Sequence, residues 1–476
     1  MDQRALLRRT ADLAADFLDG LDERPVRASA GLDELRARLG GELPETGEPA
    51  IEAVEALAAA ADPGLVASAG PRYFGFVIGG SVPASVAADW LTSAWDQNAG
   101  LYASSPAAAV AEEVAAGWVL DILDLPREAS VGFTTGATMA NSTGLAAART
   151  AVLRRAGWDV DGEGLRDAPA VTVLTSDESH STIFASLRLL GLGSGRAIRV
   201  PTDGQGRMTA AALRRSLSSV AEGPTIVCAQ AGNVNTGAVD ELEGIADACA
   251  KRNAWLHVDG AFGLWARASA RLRAQTAGIE RADSWTTDAH KWLNVPYDSG
   301  ISIVRDRAAH HAAMTVGASY YVETAGAERD PFNWVPETSR RARGFALWAA
   351  LRSLGRSGVR EMVERDCGLA RRIADRLAAE PGVDILNDVV LNQVLVRFGG
   401  DDGLTRDVIA RVQAEGTCWL GGTTWHGLGA MRISVSGWWT TDVDADRSVA
   451  AILDAFEAAR AAGDRRAATT SAPGGV

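Results

Sequence analysis

The chain has 476 residues with a formal net charge of −13, and 47% of its residues are hydrophobic. This length allows roughly two or three domains with buried cores. The acidic balance argues against a general nucleic-acid binder, which needs a basic face to displace counterions from phosphates, and against docking on an anionic membrane. We therefore expect neither nucleic acid nor a membrane among the partners.

Targeting segments, disulfides and metal sites are not predicted. No uninterrupted apolar run approaches the ~18 residues that span a bilayer. Acidic residues interrupt residues 1–17, where a signal peptide would be apolar. The four cysteines lie far apart and the six histidines lack ligand spacing. We therefore expect free thiols, a cytoplasmic location and no metal.

The N-terminal part is predicted as a helical segment over residues 1–75. Leu6, Leu13 and Phe17 are spaced to share one helical face. The sequence GPRYFGFVIGG follows at 70–80 and combines aromatic residues with glycines.

A large domain is predicted over residues 76–345, because short apolar runs alternate with amphipathic stretches from about residue 130. Buried strands that alternate with helices indicate an α/β fold with a mostly parallel central sheet flanked by helices. Ligands in such folds bind at the carboxyl ends of the strands. The strands are predicted at 171–176, 225–231, 254–261 and 300–306, and the helices at 208–220 and 238–252.

A smaller C-terminal α+β domain is predicted over residues 346–460, after a connecting helix at 339–355. The last residues, 461–476, are small and polar, and we expect them to be disordered. The strands of the smaller domain are predicted at 393–398, 416–422 and 430–438.

The sequence TTGATMAN, which begins at residue 134, has small residues where a helix should start. Gly136, Ala137 and Thr138 would offer free N–H groups and the positive end of the helix dipole to a phosphate. The Thr138 hydroxyl adds a further donor. A plain capped helix with small residues for packing is the alternative, and it stays open at this point.

Three further residues follow or end predicted strands. Asp259, in WLHVDGAFG, needs a partner at a buried strand end, either a structural one or a protonated pyridine nitrogen. His180, in SDESHSTI, is a helix cap, a core residue or a ligand contact. Lys291, in DAHKWLNVPYDSG, has Trp292 and Leu293 as apolar neighbours. A solvated loop residue and a structural ion-pair partner are the alternatives to a nucleophile, but burial disfavours the ammonium form, and a neutral amine can attack an aldehyde.

The order of these motifs describes a site for pyridoxal 5'-phosphate, and the chain resembles the group II pyridoxal-phosphate-dependent amino-acid decarboxylases. The resemblance is carried by TTGATMAN, SDESHSTI, WLHVDGAFG and DAHKWLNVPYDSG, and it runs from about residue 65 to about residue 455. It implies fold-type I, a small-molecule amino-acid substrate, and a homodimer with the N-terminal helical segment as its arm. The implied reaction is loss of CO2 from an L-amino acid to give an amine.

The resemblance also implies a role for each matching residue. Lys291 is similar to the lysine that forms the Schiff base, His180 to the residue stacked on the pyridine ring, and Asp259 to the partner of the ring nitrogen. Ala261 matches the position beneath the ring. Asn141 is expected to have a structural role in its helix. The positions that bind phosphate are matched by Gly136, Ala137, Thr138 and His290.

One stretch departs from the family in a way that bears on the product. Many members carry a tyrosine on a mobile loop shortly before a tryptophan, and loss of its hydroxyl is associated with aldehyde formation by reaction with oxygen. Here Pro331 and Phe332 precede Trp334, while Tyr320 and Tyr321 lie earlier. Phe332 is also a candidate substrate contact. Aldehyde formation is therefore the alternative to simple decarboxylation.

A second departure is Gly70, where family members commonly have histidine, at the start of a segment that usually reaches a substrate pocket. Tyr73, Phe74 and Phe76 are either pocket walls or core aromatics, and they favour an aromatic or bulky apolar substrate. Arg432 is either a ligand of the substrate carboxylate or a structural ion-pair partner.

Other functions remain open on the same residues. An aminotransferase or a carbon–carbon lyase would use the same cofactor and lysine. A catalytically inert scaffold is a different class of protein. The joint presence of Lys291, Asp259 and His180 argues against it, because an inert scaffold does not need all three.

Overall fold

The computed structural model describes residues 2–316 and 328–470. Contacts between α-carbons divide them into two compact units. The larger unit contains residues 80–316, 328–370 and 387–393, and the smaller unit contains residues 2–79, 371–386 and 394–470. Each unit has its own sheet.

The described residues form α-helices and short 3₁₀ turns around these sheets. The helix α12 is broken at Gly355, which has a φ of 62°. The helices are α1 (Gln3–Asp19), α2 (Leu32–Leu39), α3 (Ala50–Ala61), α4 (Pro83–Trp95), α5 (Pro106–Ile122), α6 (Ala137–Arg155), α7 (Val160–Glu163), α8 (Ser181–Leu189), α9 (Ala210–Ser218), α10 (Leu242–Lys251), α11 (Arg307–Met314), α12 (Gly344–Ala378), α13 (Asp402–Glu415) and α14 (Asp442–Thr470).

The strands form one seven-stranded and one four-stranded sheet, with the orders β1-β7-β6-β5-β4-β2-β3 and β10-β11-β9-β8. These labels denote β1 (Ser130–Thr134), β2 (Thr172–Ser176), β3 (Ile198–Val200), β4 (Thr225–Gln230), β5 (Trp255–Asp259), β6 (Ser284–Asp288), β7 (Gly300–Val304), β8 (Val383–Ile385), β9 (Gln393–Phe398), β10 (Gly421–Trp425) and β11 (Leu428–Ser434).

The seven-stranded sheet of the larger unit confirms the predicted α/β fold with a mostly parallel sheet. Only β7 runs against its neighbours, β1 and β6. Every residue of β4, β5 and β6 is buried, which is typical of strands covered on both faces. The helix α6 packs on this sheet, and alanines along it allow close contact with the strands.

The smaller unit joins both ends of the described chain, whereas the sequence assigned them to separate segments. The Val26 amide donates to the Gly416 carbonyl at 2.8 Å. The Arg72 guanidinium lies 3.0 Å from the buried Asp444 carboxylate. These contacts link residues that are far apart in sequence, and local periodicity could not reveal them.

One local prediction for the smaller unit was wrong. Residues 416–422 were expected to form a strand, but β10 begins at Gly421. The Trp419 backbone instead donates to Arg72 and accepts from Phe74, which holds this stretch outside the sheet. Disorder of the tail at 461–476 stays a prediction, while the helix α14 is described as far as Thr470.

Neither a membrane-spanning helix nor a metal cluster occurs within the described ranges 2–316 and 328–470. Within them no helix is both long and apolar enough to cross a bilayer. The same ranges contain no group of three or more His, Cys, Asp or Glu side chains arranged to hold a metal ion.

Candidate active site

Four of the predicted site residues lie at one edge of the seven-stranded sheet. The strands β1, β2, β5 and β6 run in the same direction, so their carboxyl ends meet at this edge. Gly136 follows β1, His180 follows β2, Asp259 ends β5 and Lys291 follows β6. The topology therefore brings together residues that the sequence places more than a hundred positions apart.

The start of α6 has the form of an anion site. Gly136 occupies the N-cap position without a capping side chain, and α6 begins at Ala137. The first N–H groups of a helix have no partner within the helix, and a 19-residue helix adds its dipole. Thr138 is exposed in this first turn. The backbones of Gly136 and Gly300 lie in close contact. A Cβ atom added to Gly300 would stand 2.4 Å from the Gly136 Cα.

Asp259 is held by two hydrogen bonds. The residue as a whole is only 7% exposed. The Ala261 amide donates to Oδ1 at 3.1 Å, and the Asn141 side-chain amide donates to Oδ2, also at 3.1 Å. The Ala261 carbonyl in turn accepts from the amide of Asp288 at 2.8 Å. Ala261 therefore connects the ends of β5 and β6.

His180 caps α8 at the same edge. Its Nδ1 accepts from the Thr182 amide at 3.3 Å and lies 2.9 Å from the Thr182 hydroxyl. These contacts hold the imidazole at the start of the helix, where the residue is exposed. The capping role considered from the sequence is therefore present in the structure.

Lys291 forms an ion pair with a residue that was not identified from the sequence. Its ammonium lies 3.2 Å from the carboxylate of Asp288, the last residue of β6, which is 1% exposed. Burial alone would raise the pKa of the Asp288 carboxyl, but the nearby Lys291 and His290 lower it below its ordinary value. The expected apolar neighbours are also present, since Trp292 and Leu293 are fully buried. The strand-end position of Asp288, equivalent to that of Asp259, was the signal available in the sequence.

His290 lies beside the start of α6. Its Nδ1 accepts from the Ser299 amide at 3.1 Å, and its ring stacks on Tyr297 with centroids 4.3 Å apart. A Cβ on Gly136 would stand 3.1 Å from the His290 Cε1 atom. Tyr297 is 60% exposed and was not singled out in the sequence.

The three aromatic residues proposed as pocket walls belong to the smaller unit and differ from one another. Tyr73 stacks on Trp419 with centroids 5.0 Å apart, and burial raises the pKa of its phenol to about 12. Phe74 is fully buried, whereas Phe76 is 59% exposed and packs against the same Trp419 ring. Gly75 admits that ring, because a Cβ there would lie 2.2 Å from it.

Two other candidate substrate residues lie on different elements. Arg432 is on β11 in the smaller unit, where burial lowers the pKa of its guanidinium. Phe332 is buried in a short 3₁₀ helix of the larger unit, with its amide bonded to the Gly100 carbonyl at 3.0 Å. Tyr320 and Tyr321 lie outside the described residues.

These residues fit pyridoxal 5'-phosphate. Asp259 offers a buried carboxylate for a protonated ring nitrogen, and the uncapped start of α6 offers donors for a phosphate. Lys291 has an amine of the kind that condenses with an aldehyde. One buried oxygen of Asp288 has no hydrogen bond in the described part of the chain, which marks this end of the site as polar and incompletely satisfied.

The comparisons with known proteins agree with this chemistry. Residues 33–398 match the model of the pyridoxal-dependent decarboxylase conserved domain. An aromatic-L-amino-acid decarboxylase from Bacillus atrophaeus is 28% identical over 420 residues, which cover 87% of this chain and 85% of that protein. An L-2,4-diaminobutyrate decarboxylase from Rhizobium meliloti is 33% identical over 327 residues, which cover 67% of this chain and 63% of that protein.

A solved structure extends the agreement to the fold. The crystal structure of Oryza sativa TDC with PLP and tryptamine has a TM-score of 0.89 to this chain at 25% identity, covering 96% of this chain and 98% of that one. The chain belongs to the pyridoxal-dependent decarboxylase family and is a pyridoxal-phosphate-dependent amino-acid carboxy-lyase.

Proposed function

We propose that the chain decarboxylates an aromatic L-amino acid to the corresponding amine and CO2, with Lys291 as the residue that holds the cofactor. The observation that supports these roles is the shared sheet edge, where Lys291, Asp259, His180 and the start of α6 follow parallel strands. The reaction balances without a further reactant, because one Cα–CO2 bond is replaced by a Cα–H bond.

Pyridoxal phosphate supplies an electron-withdrawing ring that stabilises the electron pair left on Cα when CO2 leaves. The protein's contribution begins with Asp259. Its two donors, the Ala261 and Asn141 amides, fix the carboxylate in one orientation, so that it can hold a proton on the ring nitrogen. We propose that His180 packs on the ring face and that the backbone amides of Ala137 and Thr138 bind the phosphate.

Asp288 is proposed to keep the amine of Lys291 in position. A buried carboxylate 3.2 Å from the ammonium orients the side chain and stabilises its charged form. When Lys291 gives up its proton to act as a nucleophile, Asp288 keeps the side chain at the end of β6. Ala261 links the ends of β5 and β6, because its amide donates to the Asp259 carboxylate and its carbonyl accepts from the Asp288 amide.

An aromatic substrate is proposed on two grounds. The Bacillus relative is named for aromatic L-amino acids, and the exposed Phe76 packs on Trp419 in the smaller unit, which offers an aromatic surface of that unit to a ligand. The Rhizobium relative is named for a cationic substrate, L-2,4-diaminobutyrate. A panel of substrates must therefore include both kinds.

Aldehyde formation is the second candidate, and the buried Phe332 in place of a tyrosine before Trp334 favours it. In that reaction the amino acid, O2 and water give an aldehyde, CO2, ammonia and hydrogen peroxide. The two products differ in mass and in oxygen use, so one experiment separates them.

The test is mass spectrometry of the products after the cofactor-loaded protein is incubated in air with L-tryptophan, L-tyrosine, L-phenylalanine, L-glutamate and L-2,4-diaminobutyrate. We expect an aromatic amine with no consumption of O2. An aldehyde with hydrogen peroxide supports the second candidate. Turnover of L-2,4-diaminobutyrate or L-glutamate alone contradicts the proposed substrate class. Reduction of the loaded protein with borohydride, followed by peptide mapping, should locate the cofactor on Lys291.

We also propose a homodimer in the cytoplasm. The larger unit exposes large apolar side chains close together on α4 and α12, among them Leu91, Trp95 and Trp348. Such a face is typical of an interface. The Trp95→Glu variant should shift the protein to monomer in light scattering, whereas Leu189→Glu, at an exposed leucine on α8, should not. The four cysteines are free and buried, as expected in a reducing compartment.

A further inference from the structure

Asn141 lies fully buried near the start of α6 and has hydrogen-bonding partners on three sides. Its side-chain nitrogen lies 3.1 Å from Asp259 Oδ2 and 3.3 Å from the hydroxyl of Thr182. Its side-chain oxygen lies 2.9 Å from Nε2 of His257. A purely structural helix residue, as expected from the sequence, has no need of these contacts.

The orientation of this amide follows from its partners. A carboxylate can only accept hydrogen bonds, so the Asn141 nitrogen must face Asp259. The Asn141 oxygen then faces His257 and requires a proton on Nε2. Both hydrogens of the amide are used, one toward Asp259 and one toward Thr182.

His257 is kept in the one neutral form that can donate to Asn141. It is fully buried, and burial lowers the pKa of its imidazole to about 4. Its Nδ1 lies 2.8 Å from the hydroxyl of Ser284, which accepts from the Trp255 indole at 2.8 Å. An indole can only donate, so the serine proton is available to Nδ1 and the imidazole proton remains on Nε2.

The fold makes room for this arrangement. Trp255, His257 and Asp259 alternate along β5 and therefore face the same side of the sheet. The helix α6 covers that side. A Cβ on Gly144 would lie 3.0 Å from the His257 ring, so glycine one turn after Asn141 lets the imidazole fit beneath the helix.

The same amide reaches the second residue proposed to contact the ring. The Thr182 hydroxyl accepts from Asn141 and lies 2.9 Å from Nδ1 of His180, to which its own proton can be donated. Hydrogen bonds therefore run in one direction from Trp255 to Asn141 and divide there toward Asp259 and His180.

We infer that His257 and Asn141 are positioning residues, which together set the orientation of both Asp259 and His180 toward the cofactor ring. This inference rests on the proposed roles of Asp259 and His180. Neither His257 nor Asn141 needs to touch the ring. They act by delivering N–H groups to one carboxylate and one hydroxyl, and a change in either should alter both contacts at once.

The test uses Asn141→Asp, which keeps the shape of the side chain but places an acceptor against Asp259. We expect the Kd for pyridoxal phosphate, measured by titrating the apoprotein, to rise at least about tenfold. We also expect the pH dependence of the bound cofactor's absorbance to shift, because the ring-nitrogen partner has changed its surroundings. His257→Leu should have the same effects, and His257→Gln, whose amide can still donate from the Nε2 position, should restore most of the affinity.

His310→Leu is the matched control. His310 is also a fully buried histidine of the larger unit, but its ring binds Ser130 and the Trp334 carbonyl. Its loss should lower the Tm of the apoprotein without changing the pH dependence of the absorbance. The inference is overturned if Asn141→Asp and His257→Leu lower only the Tm and leave the Kd within about twofold of the unchanged protein.

The outcome can be separated from failure of the proposed function. If borohydride does not fix the cofactor on Lys291 of the unchanged protein, the proposed function fails. If Lys291 is labelled but the Asn141 and His257 variants bind and absorb like the unchanged protein, only the positioning role fails.

Discussion

The two ends of the candidate site are held by different forces. At one end the Asp259 carboxylate accepts from two neutral donors, the Ala261 amide and the Asn141 side chain. At the other end the buried Asp288 carboxylate lies against the charged amine of Lys291, and its second oxygen lies 3.5 Å from His290 without a hydrogen bond in the described ranges.

This difference predicts which substitutions each end of the site tolerates. Hydrogen bonds between neutral donors and a carboxylate depend on direction, so the Asp259 end should be sensitive to changes that preserve shape but exchange a donor for an acceptor. A buried charge pair depends on both partners, since removal of one leaves an uncompensated charge that typically costs 3–5 kcal/mol. The Lys291 end should therefore show large effects that a second substitution relieves.

The largest effect is expected for Lys291→Ala. Turnover should fall by at least about 10³-fold, since the amine proposed to hold the cofactor is lost. The apoprotein should also lose about 3 kcal/mol of stability in urea unfolding, because Asp288 is left buried without its cation.

The double variant Lys291→Ala with Asp288→Ala separates these effects. It should regain part of the stability and none of the turnover. Equal stability of the single and double variants would show that Asp288 does not depend on the lysine, and the contrast between the two ends would fail.

Asp259→Asn should give the next largest effect. The amide keeps the shape of the carboxylate but must direct one N–H group at a donor, either the Ala261 amide or Asn141. We expect kcat to fall by about 10²-fold while apoprotein stability falls by about 1–3 kcal/mol. Salt should not rescue this variant. An unchanged kcat would rule out Asp259 as the partner of the ring nitrogen.

Gly300→Ala probes the start of α6 from the opposite strand. A Cβ at this position would lie within 2.4 to 2.6 Å of three Gly136 backbone atoms, so the turn before α6 must move. Overpacking of this kind costs about 1–3 kcal/mol and should weaken cofactor binding. Gly117→Ala is the control, because a Cβ there has no atom within 4 Å and alanine favours the helix α5. Similar cofactor affinity in both variants would contradict a phosphate site at α6.

Much of the site could be predicted from sequence because its motifs are local. Strand, turn and helix start follow one another within a few residues at Gly136, His180 and Asp259. Asn141 was the exception. Its motif was identified, but its partners Asp259 and His257 are 118 and 116 positions away, and only the pairing of strands decides which side chains meet.

The smaller unit shows the same limit more strongly. Residues 416–422 carry an apolar pattern that is typical of a strand, yet the backbone of Trp419 binds residues 72 and 74. No local pattern could predict this pairing across more than three hundred positions. The same holds for Asp288, which lay in no predicted strand and whose contact with Lys291 depends on the turn between them.

The smallest expected effect concerns the anchor of the segment after Lys291. The Trp292 indole donates to Asp366 at 2.9 Å, and burial raises the pKa of the Asp366 carboxyl to about 7, although Arg365 opposes this. The folded protein therefore holds a proton that the unfolded chain releases near pH 4, so this contribution to stability is present at acidic pH and is lost as pH rises through about 7. Asp240, whose pKa burial also raises to about 7, adds a slope of the same sign.

Urea unfolding of the apoprotein between pH 4 and pH 9 should therefore show stability falling as pH rises from about 4 to about 7 and levelling off above that. Each of the two aspartates contributes at most about 1.4 kcal/mol per pH unit. Asp366→Asn should remove the part of the pH dependence that comes from Asp366. Asp240→Asn should remove the part that comes from Asp240 and leave the hydrogen bond between Trp292 and Asp366 intact. If Asp366→Asn leaves the slope unchanged, Asp366 is ionised in the folded protein, and the segment after Lys291 is held by a charged carboxylate, as at Asp288, rather than by a protonated carboxyl group.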